Sequence, residues 1–308
     1  MTSLLSIALL IAALVLAPIV GGGLGELASG ILQILILLAI VCRLLSRGDG
    51  DRTFARAPGM WLLAVFVILT VISTIQSRAI YFSLVQLFFI IACLGAYILS
   101  ATICRERKMA AAVAWALVLT GLFVSGTAVQ HYILDAGGGA GFWKALRSPG
   151  EHARLFGPFI NPNFFSGFLV LAIPITLGVY LATRKVLLAT LPAIALAMEV
   201  MALMLTGAKF GAVAAAAALL VFLLLAFLTK SLDRARLMRL AVLLIVMAPI
   251  LIIFSAPLTS RVREAKAGGT QVHSTAFRVY TWKATARMIK DQPVLGVGPG
   301  VYGITYPQ

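Results

Sequence analysis

Arg154-Leu-Phe-Gly-Pro-Phe-Ile-Asn-Pro-Asn163 runs straight into the apolar stretch Phe164-Phe-Ser-Gly-Phe-Leu-Val-Leu-Ala-Ile-Pro-Ile-Thr-Leu-Gly-Val-Tyr-Leu-Ala-Thr183. A run of that length matches the roughly 20 apolar residues that span a bilayer as a helix. Eight more runs of similar character occur in the chain. The nine predicted spans are 4–20, 28–45, 59–76, 81–103, 110–133, 163–183, 186–206, 211–229 and 240–256. The runs are too long for strands and do not alternate, which excludes a transmembrane barrel. The fold class is therefore all-α, a polytopic membrane bundle of about nine transmembrane helices with an extracytoplasmic helical loop region.

Composition agrees. The 308 residues are 61% hydrophobic and 11% charged, more apolar than a soluble fold requires. The net charge of +15 would point to nucleic acid in a soluble protein. Here the basic residues flank the spans, and no nucleic-acid motif accompanies them. One set of alternate connectors holds Arg43, Arg47, Arg52, Arg56, Arg105, Arg107, Lys108, Arg184, Lys185, Lys230, Arg234, Arg236 and Arg239. The other short connectors hold only Arg78, Lys144, Arg147, Arg154 and Lys209. The positive-inside rule places the first set, and the N-terminus, in the cytoplasm. Nine spans then leave the tail outside. The organisation expected is a bundle over 1–256, with an outer loop at 134–162, and an extracytoplasmic segment over 257–308. Leu4 to Val20 lacks a basic n-region and a cleavage site, and reads as a retained first helix. The ending at Gly296-Val-Gly-Pro-Gly-Val-Tyr-Gly-Ile-Thr-Tyr-Pro-Gln308 reads as a truncation inside a large outer loop.

Cys42 and Cys104 fall at predicted cytoplasmic helix ends and Cys93 within a span, so no structural disulfide is expected. His131, His152 and His273 show no metal-ligand spacing, and no metal site is expected. Gly296-Val-Gly-Pro-Gly300 lacks both the preceding strand and the lysine–serine ending of a nucleotide-binding loop. The alanine run Ala214 to Ala218 marks close helix packing.

The candidate site residues lie on the predicted outer side. Pro158 and Pro162 keep the Arg154 segment non-helical, and Asn163 is placed to cap the following helix. Arg154 reads either as an interfacial anchor or as a phosphate contact, because a guanidinium fork matches phosphate oxygens. A second helix is expected over 276–290, capped by Ser274 or Thr275 and stopped by Pro293. At 100° per residue, Phe277, Thr281, Trp282, Ala284, Thr285, Met288 and Ile289 share an apolar arc. Lys283, Arg287 and Lys290 lie opposite, where anionic lipid headgroups are the natural partner. Arg278 falls within the apolar arc, where it needs a buried anion: a ligand, or a carboxylate such as Glu151 or Glu264. Lys209, at the tip of Thr206-Gly-Ala-Lys-Phe-Gly211, is either a hairpin-tip charge or a third cation for a diphosphate. Glu199 lies about 20 Å into its span. It reads as a partner for an arginine or as a proton-coupling acid.

These motifs together resemble the bacterial O-antigen ligase and polymerase superfamily of integral-membrane glycosyltransferases. The resemblance is carried by Arg154 to Asn163, by Phe277-Arg-Val-Tyr-Thr-Trp282 and by Asp291-Gln-Pro-Val-Leu-Gly-Val-Gly-Pro-Gly300. Thr206-Gly-Ala-Lys-Phe-Gly211 is similar to the family's threonine-x-serine-arginine-glycine turn, with Ala208 and Lys209 in the serine and arginine places. The first four spans match only in hydropathy. The resemblance implies an undecaprenyl-diphosphate-linked glycan as donor, used at the outer face of the inner membrane. The acceptor would be a hydroxyl of a glycan, of lipid A-core or of another molecule. No nucleotide sugar, metal or other cofactor is implied. Arg154 and Arg278 would be the catalytic residues, stabilising the leaving diphosphate. Asn161, Asn163, Lys209 and Trp282 would contact substrate. The family's proposed catalytic histidine has no counterpart before Gln308, so the 308 residues alone are expected to be inactive. Ligase, polymerase and protein-glycosylating members share these motifs. A transporter or flippase for an anionic lipid or polysaccharide precursor is the alternative. It would carry an inverted repeat and paired intramembrane acids, and the chain offers only Glu199. A non-catalytic assembly scaffold is the third reading.

Overall fold

The computed structural model describes residues 2–21, 25–46, 58–138, 154–255 and 271–306. Among them every regular element is helical. The helices are α1 (Thr2–Ile19), α2 (Glu26–Leu44), α3 (Met60–Ile75), α4 (Ile80–Ile103), α5 (Arg107–Asp135) and α6 (Pro162–Ala182). They continue with α7 (Val186–Leu205), α8 (Lys209–Leu228), α9 (Arg234–Ile253), α10 (Gln271–Asp291) and the single turn α11 (Tyr302–Thr305). The first nine correspond to the nine predicted spans. Seven are long and apolar enough to cross a membrane, and Leu4–Ile19 and Met60–Ile75 are shorter apolar helices. Helix is the expected answer, because in a bilayer each backbone amide must find its partner within its own segment. The exposed surface is correspondingly apolar. Leu171, Phe210, Val213, Ile245 and Ile252 are each at least 67% exposed. Such a surface suits lipid and not water.

The chain forms two compact units. The first comprises 1–13, 25–109 and 268–308, and the second 14–24 and 110–267. The expected boundary at 256/257 and most of the outer loop 134–162 lie outside the described residues.

In the first unit α4 packs on α2 and α3. Gly95 lies on the α2–α4 seam: a Cβ there would lie 2.7 Å from Ile40 and 3.3 Å from Ile36. Ser6 ties α1 to α2 by donating to the Ala39 carbonyl at 2.7 Å. In the second unit α6 is the central helix, packed against α7 and α8. Its buried face carries Phe165, Leu169, Ile173 and Leu177, which meet Val124 and Ala128 of α5 and Leu196 and Leu203 of α7. The α6–α8 seam uses small residues, as the alanine run predicts, but at particular positions. Ala215 is the buried alanine of that run, and one turn earlier Gly211 sits where a Cβ would be 2.5 Å from the Ser166 hydroxyl.

Two sets of contacts mark the ends of the second unit. At one end the Arg239 guanidinium donates to the carbonyls of Thr183 and Arg184. Two of the basic connectors are thus brought together. At the opposite end of α6, segment 154–161 docks on the turn that leaves α7.

Candidate functional site

The Arg154 segment is held from three directions. The Arg154 Nε donates to the Thr206 carbonyl at 2.7 Å, and the Leu155 amide donates to Leu205 O at 3.4 Å. Leu155 and Phe159 are buried, and the Phe159 ring stacks on Phe165 and Phe168 at centroid distances of 5.5 and 5.7 Å. Gly157 takes φ +56°, and a Cβ there would press on Ala128 at 3.0 Å. Aromatic burial and backbone bonds therefore set the guanidinium in place before any ligand is considered.

The α6 N-terminus corrects the capping assignment. Asn161 is the N-cap, its side chain accepting from the Asn163 amide at 2.8 Å, with Pro162 in the first helical turn. Pro162 explains the shift. Its fixed φ suits the first helical position, where a missing N–H costs nothing, so the cap falls on the residue before it, Asn161. Asn163 contributes its backbone amide to the cap, and both asparagine residues are exposed.

The Thr206–Gly211 turn is built for close approach. Thr206 is fully buried; its hydroxyl donates to Leu203 O and accepts from the Ala208 amide at 3.1 Å. Lys209, half-buried, is the first residue of α8. A cation there opposes the helix macrodipole, so helix stability is no reason for it. Arg154 and the turn bearing Lys209 are joined through the Thr206 bond.

Beside them lies an open pocket of about 150 Å³, lined by His131, Tyr132, Asp135, Arg154, Leu155 and Phe156 among others. Sequence reading treats His131 as an isolated histidine and leaves Asp135 in the outer loop. The signal for the pair was their spacing. Residues four apart share a helix face, and α5 continues to Asp135, two residues past the predicted end of the span. Its 29 residues reach about 43 Å, beyond a hydrocarbon core of about 30 Å, so the last turns stand clear of the apolar zone.

In the first unit the Arg278 helix departs from expectation in two respects. α10 runs back to Gln271, so Ser274 and Thr275 are positions within the helix and not at its start. It ends at Asp291, ahead of Pro293, as predicted. Arg278 is exposed, as are Phe277 and Trp282 at 65% and 69%. The sheltered positions are Thr281, Ala284, Thr285 and Met288. The packed strip is narrower than the arc inferred from apolar character, because the contact is made by the small α11 turn. There the Tyr302 hydroxyl meets the Thr285 hydroxyl at 2.6 Å and the Tyr306 hydroxyl meets Thr281 at 3.4 Å. Arg278 thus lies off that strip, and burial gives no reason for an anion beside it. Glu151 and Glu264, its suggested partners, and the His152 side chain lie outside the described residues. Arg154 belongs to the second unit and Arg278 to the first.

Glu199 is fully buried in α7 and has no arginine partner among the described residues, which corrects the expected pairing. Its Oε1 accepts from Thr176 Oγ1 at 3.0 Å. The carboxyl fills the space that a side chain at Gly121 would need, its Cδ 3.1 Å from a Cβ built there. No group of three or more metal-ligating side chains occurs among the described residues, and Cys42, Cys93 and Cys104 are free.

The helices and their apolar exterior define a polytopic helical membrane protein. Residues 192–308 match the family model described as O-Antigen ligase, which supports the O-antigen ligase/polymerase superfamily for this chain. The match takes in Lys209, Arg278, Trp282 and the Gly296–Gly300 segment; Arg154 precedes it. No curated protein and no solved structure matches the chain.

Proposed function

We propose that the protein is a glycosyltransferase of the O-antigen ligase or polymerase type. In this reading it takes a glycan from an undecaprenyl-diphosphate carrier at the outer face of the bacterial inner membrane, with its N-terminus in the cytoplasm. A hydroxyl of a growing glycan, of lipid A-core or of another acceptor attacks the anomeric carbon. The carrier diphosphate leaves. Arg154 and Arg278 would bind that diphosphate more tightly as its charge develops, which is where preorganised donors lower a barrier most. Lys209 adds a third cation, and Asn161, Asn163 and Trp282 contact the donor.

The observation that carries the reading is the fixed Arg154. Its Nε is committed to Thr206 O and its segment is pinned by buried aromatics, at a pocket that also holds His131 and Asp135. An arginine that only anchored the protein at the lipid surface would need no such fastening. The family match supports the same chemistry from the other half of the chain.

The test is genetic and chemical. Cells in which the whole protein carries Arg154→Ala or Arg278→Ala are expected to accumulate carrier-linked glycan and to lose the transferred product. Normal product length and attachment in both strains would overturn the proposal.

A further inference from the structure

The Gly296–Gly300 segment, which fails as a nucleotide loop, is tightly built against the end of the α3–α4 hairpin. Ser73 Oγ donates to Leu295 O at 2.6 Å, and Ser83 Oγ donates to Pro299 O at 2.9 Å. Ser83 also bonds Ser77 Oγ at 2.6 Å and is fully buried. Gly298 takes φ +113°, and a Cβ there would lie 2.7 Å from Ser77 Cβ and 2.8 Å from Ser83 Oγ. Gly300, at φ +74°, would press on Gln86 Cβ at 3.1 Å and on the Phe82 carbonyl at 3.2 Å. Only glycine meets both the backbone angle and the space at these two positions.

The contact continues without a break to α10. Val301, fully buried, opens the α11 turn. Tyr302 and Tyr306 stack at 5.7 Å, and their hydroxyls meet Thr285 and Thr281. Thr281 is three residues from Arg278. Within one unit, serine hydroxyls on the hairpin therefore hold a glycine-rich backbone, which holds two tyrosines, which hold the helix bearing Arg278.

We propose that this segment is a latch that fixes the Arg278 helix on the α3–α4 hairpin, with Gly298, Ser73 and Ser83 as positioning residues for glycan transfer. The proposal rests on the functional reading above. It assigns a role to spans that the family match does not include. Nothing in the latch touches substrate; it acts by removing the freedom of an exposed helix. Misplacing a group by about 1 Å can cost about 10²-fold in rate.

The test uses the whole protein in membranes. Gly298→Ala and Ser73→Val are each expected to lower kcat for transfer by about 10- to 100-fold, with the donor KM moving less than about twofold. Ser73→Thr, the same shape as valine with the hydroxyl kept, is expected to restore kcat. Equal kcat in Ser73→Val and Ser73→Thr would overturn the positioning role. Docking is read separately, by hydrogen–deuterium exchange over residues 295–306 of the whole protein in membranes. Slow exchange there, quickened in Gly298→Ala, supports the latch, and exchange at the rate of an unstructured peptide in the unsubstituted protein overturns it. Quickened exchange with unchanged kcat in Gly298→Ala overturns positioning alone. Full transfer by Arg278→Ala would instead remove the functional reading on which the proposal rests.

Discussion

Arg154 and Arg278 are the same side chain held by two different strategies. Arg154 is secured at the guanidinium itself, by a backbone acceptor on a buried turn and by a loop whose Phe159 enters the core. Arg278 is exposed, and the order imposed on it acts on its helix, through threonine–tyrosine contacts and a glycine segment more than 200 positions away in sequence from the serines that hold it. The first arrangement fixes a donor direction. The second fixes a helix and leaves the side chain free to turn. The contrast teaches that an arginine can be ordered at its guanidinium or only through the helix that bears it, and that the two leave the side chain different freedom.

The largest expected effect separates these two modes directly. Arg154→Lys cannot keep both the Thr206 bond and a forked contact, and transfer is expected to fall by about 10²-fold. Arg278→Lys keeps a mobile cation on a fixed helix and is expected to lose about tenfold or less. Assay of transfer in membranes from the two strains decides between them. Equal losses would show that the fastening of Arg154 carries no functional weight.

Packing beneath the Arg154 site comes next. Gly211→Val would drive a branched side chain into Ser166, and overpacking of this kind costs about 1–3 kcal/mol. The purified protein should melt at a lower temperature, whereas Ala214→Val, on the exposed side of α8, should leave melting nearly unchanged. A smaller change is expected at the α6 cap. Asn161→Ala should cost about 1 kcal/mol, while Asn163→Ala, which keeps its backbone amide, should cost far less. Matched melting curves would put the cap in the wrong place.

The smallest effect is expected at Glu199. Glu199→Gln retains the shape against Gly121 and an acceptor for Thr176, so stability should change by about 1 kcal/mol or less. Glycan transfer should stay within about twofold. Loss of function in that variant would favour an acid that moves protons, and with it the transporter reading.

Much of the architecture was legible in the linear chain. Each span is a local property, a run of apolar side chains measured against the thickness of a bilayer, and all nine appear as helices, the largest shift being the start of the ninth at Arg234 where 240 was expected. The stop before Pro293 was equally local. The α6 cap was misplaced by two residues, because Asn161 and Asn163 are both good caps and the choice fell to Pro162 between them. The polar face at the end of α5 was missed because a hydropathy run ends where the apolar residues end, whereas the helix itself continues.

The site's finer features have another origin. The Arg154–Thr206 bond joins residues 52 positions apart, and the Ser83–Pro299 bond joins residues 216 apart. Periodicity places a residue on a face of its own helix, but it carries no information about which distant backbone carbonyl arrives there. For that reason composition and spacing were enough to establish a membrane bundle with arginine-bearing segments. The anchoring of Arg154, the exposure of Arg278 and the Glu199–Thr176–Gly121 contact arise from long-range packing, where shape and unsatisfied hydrogen-bonding groups choose among partners that the linear pattern leaves equivalent.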